Sequence, residues 1–125
     1  MEPVSKKVLW TGRVLTALAA FPFLMSGAMK LSGGPQMSEG MAHFGWPATM
    51  TSTLAVLELG SVLIYLIPQT AVLGAIILTG YLGGALSTHL RLGENVVTHV
   101  IIGVLIWGGL YLRDTRLRAL IPLRK

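Results

Sequence analysis

The chain alternates long apolar runs with short breaker-rich punctuation, and this spacing predicts helices that cross a bilayer. The first run extends from about residue 8 to 31, with Trp10 and Arg13 at its start and Lys30 at its close. About 20 residues span ~30 Å of hydrocarbon, so the run is sufficient. Pro22 removes an amide donor and crowds the carbonyl of Leu18, so a kink near mid-span is expected. The second run covers about 49–67 and ends at Pro68-Gln69, which leaves room only for a tight helical hairpin. The third covers about 70–90, and the fourth about 96–112 after the polar turn Arg91-Leu92-Gly93-Glu94-Asn95.

Between the first two runs lies a connection bounded by Gly33-Gly34-Pro35 and Gly45-Trp46-Pro47. Within it Met37, Met41 and Phe44 recur at helical spacing opposite Ser38 and Glu39. Two readings stand: a short amphipathic helix over 35–45 lying in the interface as a lid, or an ordinary ordered loop.

Composition agrees with the spans. Of 125 residues 53% are hydrophobic and 12% charged, with a mean hydropathy of +0.69. A soluble domain has about a quarter of its residues charged, so the expectation is a single all-α integral membrane domain, a transmembrane four-helix bundle. Lys6, Lys7, the following apolar run and Ser26-Gly27-Ala28 imitate a secretion signal. The length of the run favours a first membrane span instead.

The net charge of +5 does not point to nucleic acid, because the basic residues flank apolar segments. An even number of spans places both termini on one side. That side carries Lys6, Lys7, Arg13, Arg113, Arg116, Arg118, Arg124 and Lys125, eight of the ten basic residues, against Lys30 and Arg91 opposite. The positive-inside rule puts both termini in the cytoplasm. The absence of cysteine excludes disulfides, thiol redox chemistry and thiolate metal sites.

Glu58 is the sharpest chemical signal. It lies nine residues below Thr49, about 13 Å deep at 1.5 Å per residue. An ionised carboxylate at the centre of a span costs about 2.5–3.5 kcal/mol, whereas each aliphatic residue offsets only about 0.3–0.6 kcal/mol. Glu58 therefore needs a proton, a partner or water. Lys30 is the natural partner, with Tyr81 as a hydrogen-bond donor. One reading is a structural ion pair that fixes helix register; the other is a carboxylate that contacts a ligand or handles a proton.

Helical phase groups Thr51, Glu58 and Tyr65 on one face of the second span. On the third it groups Tyr81, Gly84, Ala85 and Thr88 with His89 at the margin, and on the fourth His99, Gly103 and Trp107. The expected result is a bowl in the outer half of the membrane. Glu58, Tyr81 and Trp107 form its floor; Lys30, His89 and His99 form its rim. Ligand contact is expected at these six and at Thr88, with Glu58, His89 and His99 as candidates for proton exchange. Beyond Tyr65 the inner half offers no polar stepping stones, which disfavours an ion or proton path.

Two histidines and a carboxylate have the composition of a metal site. Neither histidine has a partner at i+3 or i+4, however, and Glu58 lies about two turns too deep. No metal is expected. Gly80-x-x-x-Gly84, with the Thr79, Gly83, Ser87 row beside it, predicts close approach of a neighbouring helix. That neighbour is expected to be another span of this chain, or a partner in a homodimer. Phosphate-loop, dinucleotide, nucleophile-elbow and zinc-protease motifs are absent.

Three stretches together resemble the DoxX-like family of small bacterial membrane proteins. They are Gly27-x-x-Lys30-Leu31 with Glu58, the near-continuous run from Pro68 through Thr79-Gly-Tyr-Leu-Gly-Gly-Ala to Thr88-His-Leu-Arg91, and Trp107-Gly-Gly-Leu-Tyr-Leu-Arg-Asp114. The resemblance covers roughly residues 12–120. It implies a four-helix membrane bundle with its polar pattern at Lys30, Glu58, His89 and His99. It implies little about activity; relatives are tied to redox partners or, in animals, to receptor assembly. The family name derives from a subunit associated with a thiosulfate:quinone oxidoreductase. Two functions remain open: a pocket for a quinone-like or other amphipathic molecule, and a non-catalytic accessory subunit of a membrane complex.

Overall fold

The computed structural model describes residues 4–124, so Lys125 of the basic tail lies outside the described residues. Six helices follow in order: α1 (Lys6–Ser32), α2 (Pro35–His43), α3 (Thr51–Leu66), α4 (Ala71–Arg91), α5 (Val97–Arg113) and α6 (Thr115–Arg118). Single 3-10 turns, Ala48–Met50 and Pro68–Thr70, precede α3 and α4. No strand occurs among the described residues.

Local chemistry sets the boundaries. Ser5 caps α1, its hydroxyl accepting from the Val8 amide at 3.3 Å. The helix runs unbroken through Pro22. The reversal after it uses Gly33 and Gly34 at φ +68° and +100°, a backbone that a Cβ disfavours, and Pro35 then opens α2. Between α3 and α4, Pro68 ends one helix and Thr70 closes the turn, its hydroxyl donating to the Ile64 carbonyl at 2.8 Å.

The four long helices form a closed ring in the order α1, α3, α4, α5. Glycines set the closest approaches. A Cβ at Gly74 would overlap the backbone of Tyr65 and Ile64, so α4 meets α3 there. Gly12 and Gly109 play the same part between α1 and α5. The core is Ala19, Phe23, Val62, Ala75, Leu78, Ile106 and their neighbours. Tyr65 is fully buried within it, and its hydroxyl donates across the ring to the Ile106 carbonyl at 2.7 Å, beside Thr16. Thr16 is thus a second buried polar group at this level, in a region that the sequence presents as aliphatic beyond Tyr65.

Outward, each long helix presents large apolar side chains: Phe21, Val56, Ile76 and Val104 are all more than half exposed. Helices α1, α3 and α4 with their flanking turns are long and apolar enough to cross a bilayer. At 17 residues α5 is shorter, at the lower limit of spanning length. The protein is an all-α integral membrane bundle, and its apolar exterior faces lipid.

Candidate functional site

Glu58 is 4% exposed on the buried face of α3 that also carries Thr51 and Tyr65. Its partner comes from the last turn of α1. Lys30 Nζ donates to Glu58 Oε1 at 2.9 Å and to Ser26 Oγ at 2.6 Å, one turn earlier on its own helix. Tyr81 of α4 lies near enough to the Glu58 carboxylate to interact with it electrostatically. Three helices therefore converge on one carboxylate, with a charge-assisted hydrogen bond at its centre. Ser26 was not recognisable as part of this group from sequence, although i−4 spacing from Lys30 places it on the same face.

Beside the pair lies a cavity of about 440 Å³. Its walls are almost wholly apolar. Gly80, Tyr81, Gly84, Ala85, Thr88 and His89 of α4 form one side, and Leu54 of α3 another. The roof is α2 with the segment after it: Gln36, Met37, Gly40, Met41, Phe44 and Trp46. Lys30 stands where the cavity meets the ion pair. The 35–45 stretch is thus helical from Pro35 to His43, and this helix lines one side of the cavity.

The Gly80-x-x-x-Gly84 row does not pack against another helix of the chain, the first of the two partners expected for it. A Cβ at Gly80, Gly83 or Gly84 would meet nothing within 4 Å. Gly80 and Gly84 instead widen the cavity. The close α3–α4 crossing falls two turns earlier, at Gly74.

The remaining predicted residues divide into two groups. Lys30, Tyr81, Thr88 and His89 line the cavity. Glu58 sits behind Lys30; His99 and Trp107 face α4 and lie outside the lining. Trp107 Nε1 donates to Thr79 Oγ1 at 2.8 Å, so it braces the α4–α5 contact instead of flooring a bowl. The Thr88 hydroxyl donates to the Gly84 carbonyl at 2.9 Å.

At the mouth four rings form a continuous series that sequence reasoning missed. His43 and Phe44 lie 5.0 Å apart by centroid, Phe44 and His89 4.5 Å, and His89 and His99 4.4 Å. His89 Nδ1 lies 2.7 Å from the Ala85 carbonyl, which can only accept, so Nδ1 donates there and Nε2 is the ring nitrogen outside that bond. His43 Nε2 is 3.2 Å from Glu94 Oε2, and Arg91 donates to the Phe44 carbonyl. These contacts tie the roof to the end of α4 and the following turn. A histidine near the end of a nine-residue helix gives no periodic signal, so His43 had no sequence mark. Among the described residues no three His, Asp or Glu side chains converge as a metal ion would need.

The geometry provides a buried, charge-balanced carboxylate adjoining an apolar chamber with one histidine nitrogen available at its rim. The shape and polarity of such a chamber suit an apolar body with one polar end. No curated protein and no solved structure matches the chain. A family model, described as the DoxX-like family, matches residues 14–109, a region that holds all four long helices in whole or large part. On that match, over far more than half its length, the chain belongs to the DoxX-like family.

Proposed function

We propose that the protein binds a small amphipathic, quinone-like molecule in the chamber beneath α2. The carrying observation is the open glycine row: Gly80 and Gly84 bound a roofed apolar space that ends at Lys30 and its buried partner Glu58. Ligand pockets of this kind are mostly apolar with a few placed polar groups that fix orientation. In this reading the polar end of the ligand meets Lys30, Tyr81 and His89, and its apolar body lies along Gly84, Leu54 and Met41. Glu58 and His89 Nε2 are the groups for proton exchange, and His99 packs its ring against that of His89. The positive-inside rule orients both termini to the cytoplasm of a bacterial inner membrane and the chamber to the outer half.

The test is mass spectrometry of small molecules that co-purify with the protein in mild detergent. Quinone-like or other amphipathic material should be present in the wild type. It should be depleted in Gly84→Leu, which fills the chamber, and in Glu58→Gln. Equal retention in all three would sink the proposal.

The open space at Gly83 favours a second reading, in which the chain is an accessory subunit whose α4 receives a helix of a membrane partner. Gly83→Leu, on the neighbouring row and outside the chamber lining, separates the two. It should disrupt partner binding while leaving ligand retention intact.

A further inference from the structure

A second cavity, of about 670 Å³, lies at the opposite end of the bundle, where α1, the α3–α4 turn and the end of α5 meet. Its lining is far more polar than that of the chamber: Arg13, Gln69, Arg113, Asp114, Thr115 and Arg116 contribute to it. Arg113 is the unusual member. Its stem packs over Gly12, where a Cβ would collide with Arg113 Cγ, so the side chain is fixed in place. Its Nε and Nη2 are both buried, yet neither has a hydrogen-bond partner among the described residues.

A guanidinium stays charged at any accessible pH, and buried donors left unmade are unfavourable. Asp114 cannot supply the counter-charge. Its carboxylate is taken bidentately by Arg116, Oδ1 to Nε and Oδ2 to Nη2 each at 3.1 Å. It is the one carboxylate at this end among the described residues. Arg13, stacked 4.8 Å over the Trp10 ring, adds a further cation in the position of an interfacial anchor.

We infer that this cavity is a binding site for a phosphate-bearing anion, held by Arg113, which lines it, and drawn in by the Arg13 cation. The planar fork of a guanidinium matches two phosphate oxygens. Basic pockets between membrane helices at this level suit the head group of an anionic phospholipid. A free phosphate shares the chemistry, and the two sources are separable.

The experiment is native mass spectrometry of the full chain in detergent, titrated with phosphatidylglycerol, with phosphatidylcholine, or with inorganic phosphate. Phosphatidylglycerol should bind at least tenfold more tightly than phosphatidylcholine, and Arg113→Gln should remove that preference. Arg124→Gln, which removes an equal charge from the tail, should keep it. Gln69→Glu guards against misfolding of the first variant. It supplies a carboxylate within the cavity, so it should raise the thermal midpoint and abolish anion binding together. Arg113-dependent binding of inorganic phosphate without lipid preference identifies a free anion as the source and still supports the site. Anion binding unchanged by both Arg113→Gln and Gln69→Glu, or equal affinity for both lipids in the wild type with no phosphate binding, overturns it.

Discussion

Lys30 and Glu58 stand 28 residues apart in sequence and 2.9 Å apart in space, with side-chain exposures of 16% and 5%. A buried pair of this kind is far more sensitive to losing one partner than to losing both. Glu58→Ala should therefore lower stability by about 3–5 kcal/mol, read as a drop in the thermal midpoint in detergent. The double variant Lys30→Met, Glu58→Met should recover most of that loss. A double variant as unstable as the single would show that the pair does not act as a unit.

Gly74 and Gly84 lie on the same helix and give opposite expectations. A side chain at Gly74 would force apart the backbones of α3 and α4. Gly74→Ala should cost about 1–3 kcal/mol by overpacking. Gly84→Ala adds its methyl to open space and gains helix propensity, so it should be neutral or stabilising by up to about 1 kcal/mol. Thermal unfolding of the two variants side by side is sufficient to check this.

The roof is held by exposed contacts. His43 and Glu94 are 62% and 36% exposed at the side chain, so their pairing contributes about 0–1 kcal/mol. Arg91 adds a hydrogen bond to the Phe44 carbonyl. Combining Glu94→Gln with Arg91→Gln should accelerate amide exchange in α2 by roughly two- to fivefold, while α3 keeps its protection. Unchanged exchange in α2 would show that these contacts do not hold the roof.

At the other end, Asp114 caps α6 by accepting from the Arg116 amide at 2.9 Å. The Arg116 side chain holds the Asp114 carboxyl below its ordinary value of 3.8. A depressed folded value means the contribution is complete above about pH 4–5 and is lost as pH falls through the lowered value. Amide shifts of residues 115–118 should titrate in that acidic window in the wild type and not in Asp114→Asn.

The bundle was legible because a run of 20 apolar residues has few alternatives, and Pro68 and the double glycine at 33–34 fix where the chain must turn. The Lys30–Glu58 pairing was legible for a similar reason, since a charge at that depth needs a partner and one lysine was within reach. Less legible was which glycine row is packed. A small-x-x-x-small pattern states what could approach, not what does, and the crossing uses Gly74, which carries no motif. Trp107 lies on the side of α5 that faces α4, but helical phase cannot tell a cavity from the neighbouring helix that the indole meets at Thr79. The roof was hardest to anticipate. Its place over the chamber depends on long-range contacts of Phe44 with His89 and Arg91 that no local pattern encodes.

Trp46 lines the chamber and supplies the most direct measurement. In a Trp10→Phe, Trp107→Phe background its fluorescence is the sole indole signal, and a short-chain quinone can be titrated against it. The account predicts saturable quenching that is lost in Gly84→Leu, with the thermal midpoint of that variant maintained. Quenching that rises linearly without saturation, or that saturates identically in Gly84→Leu, would contradict a ligand chamber beneath α2.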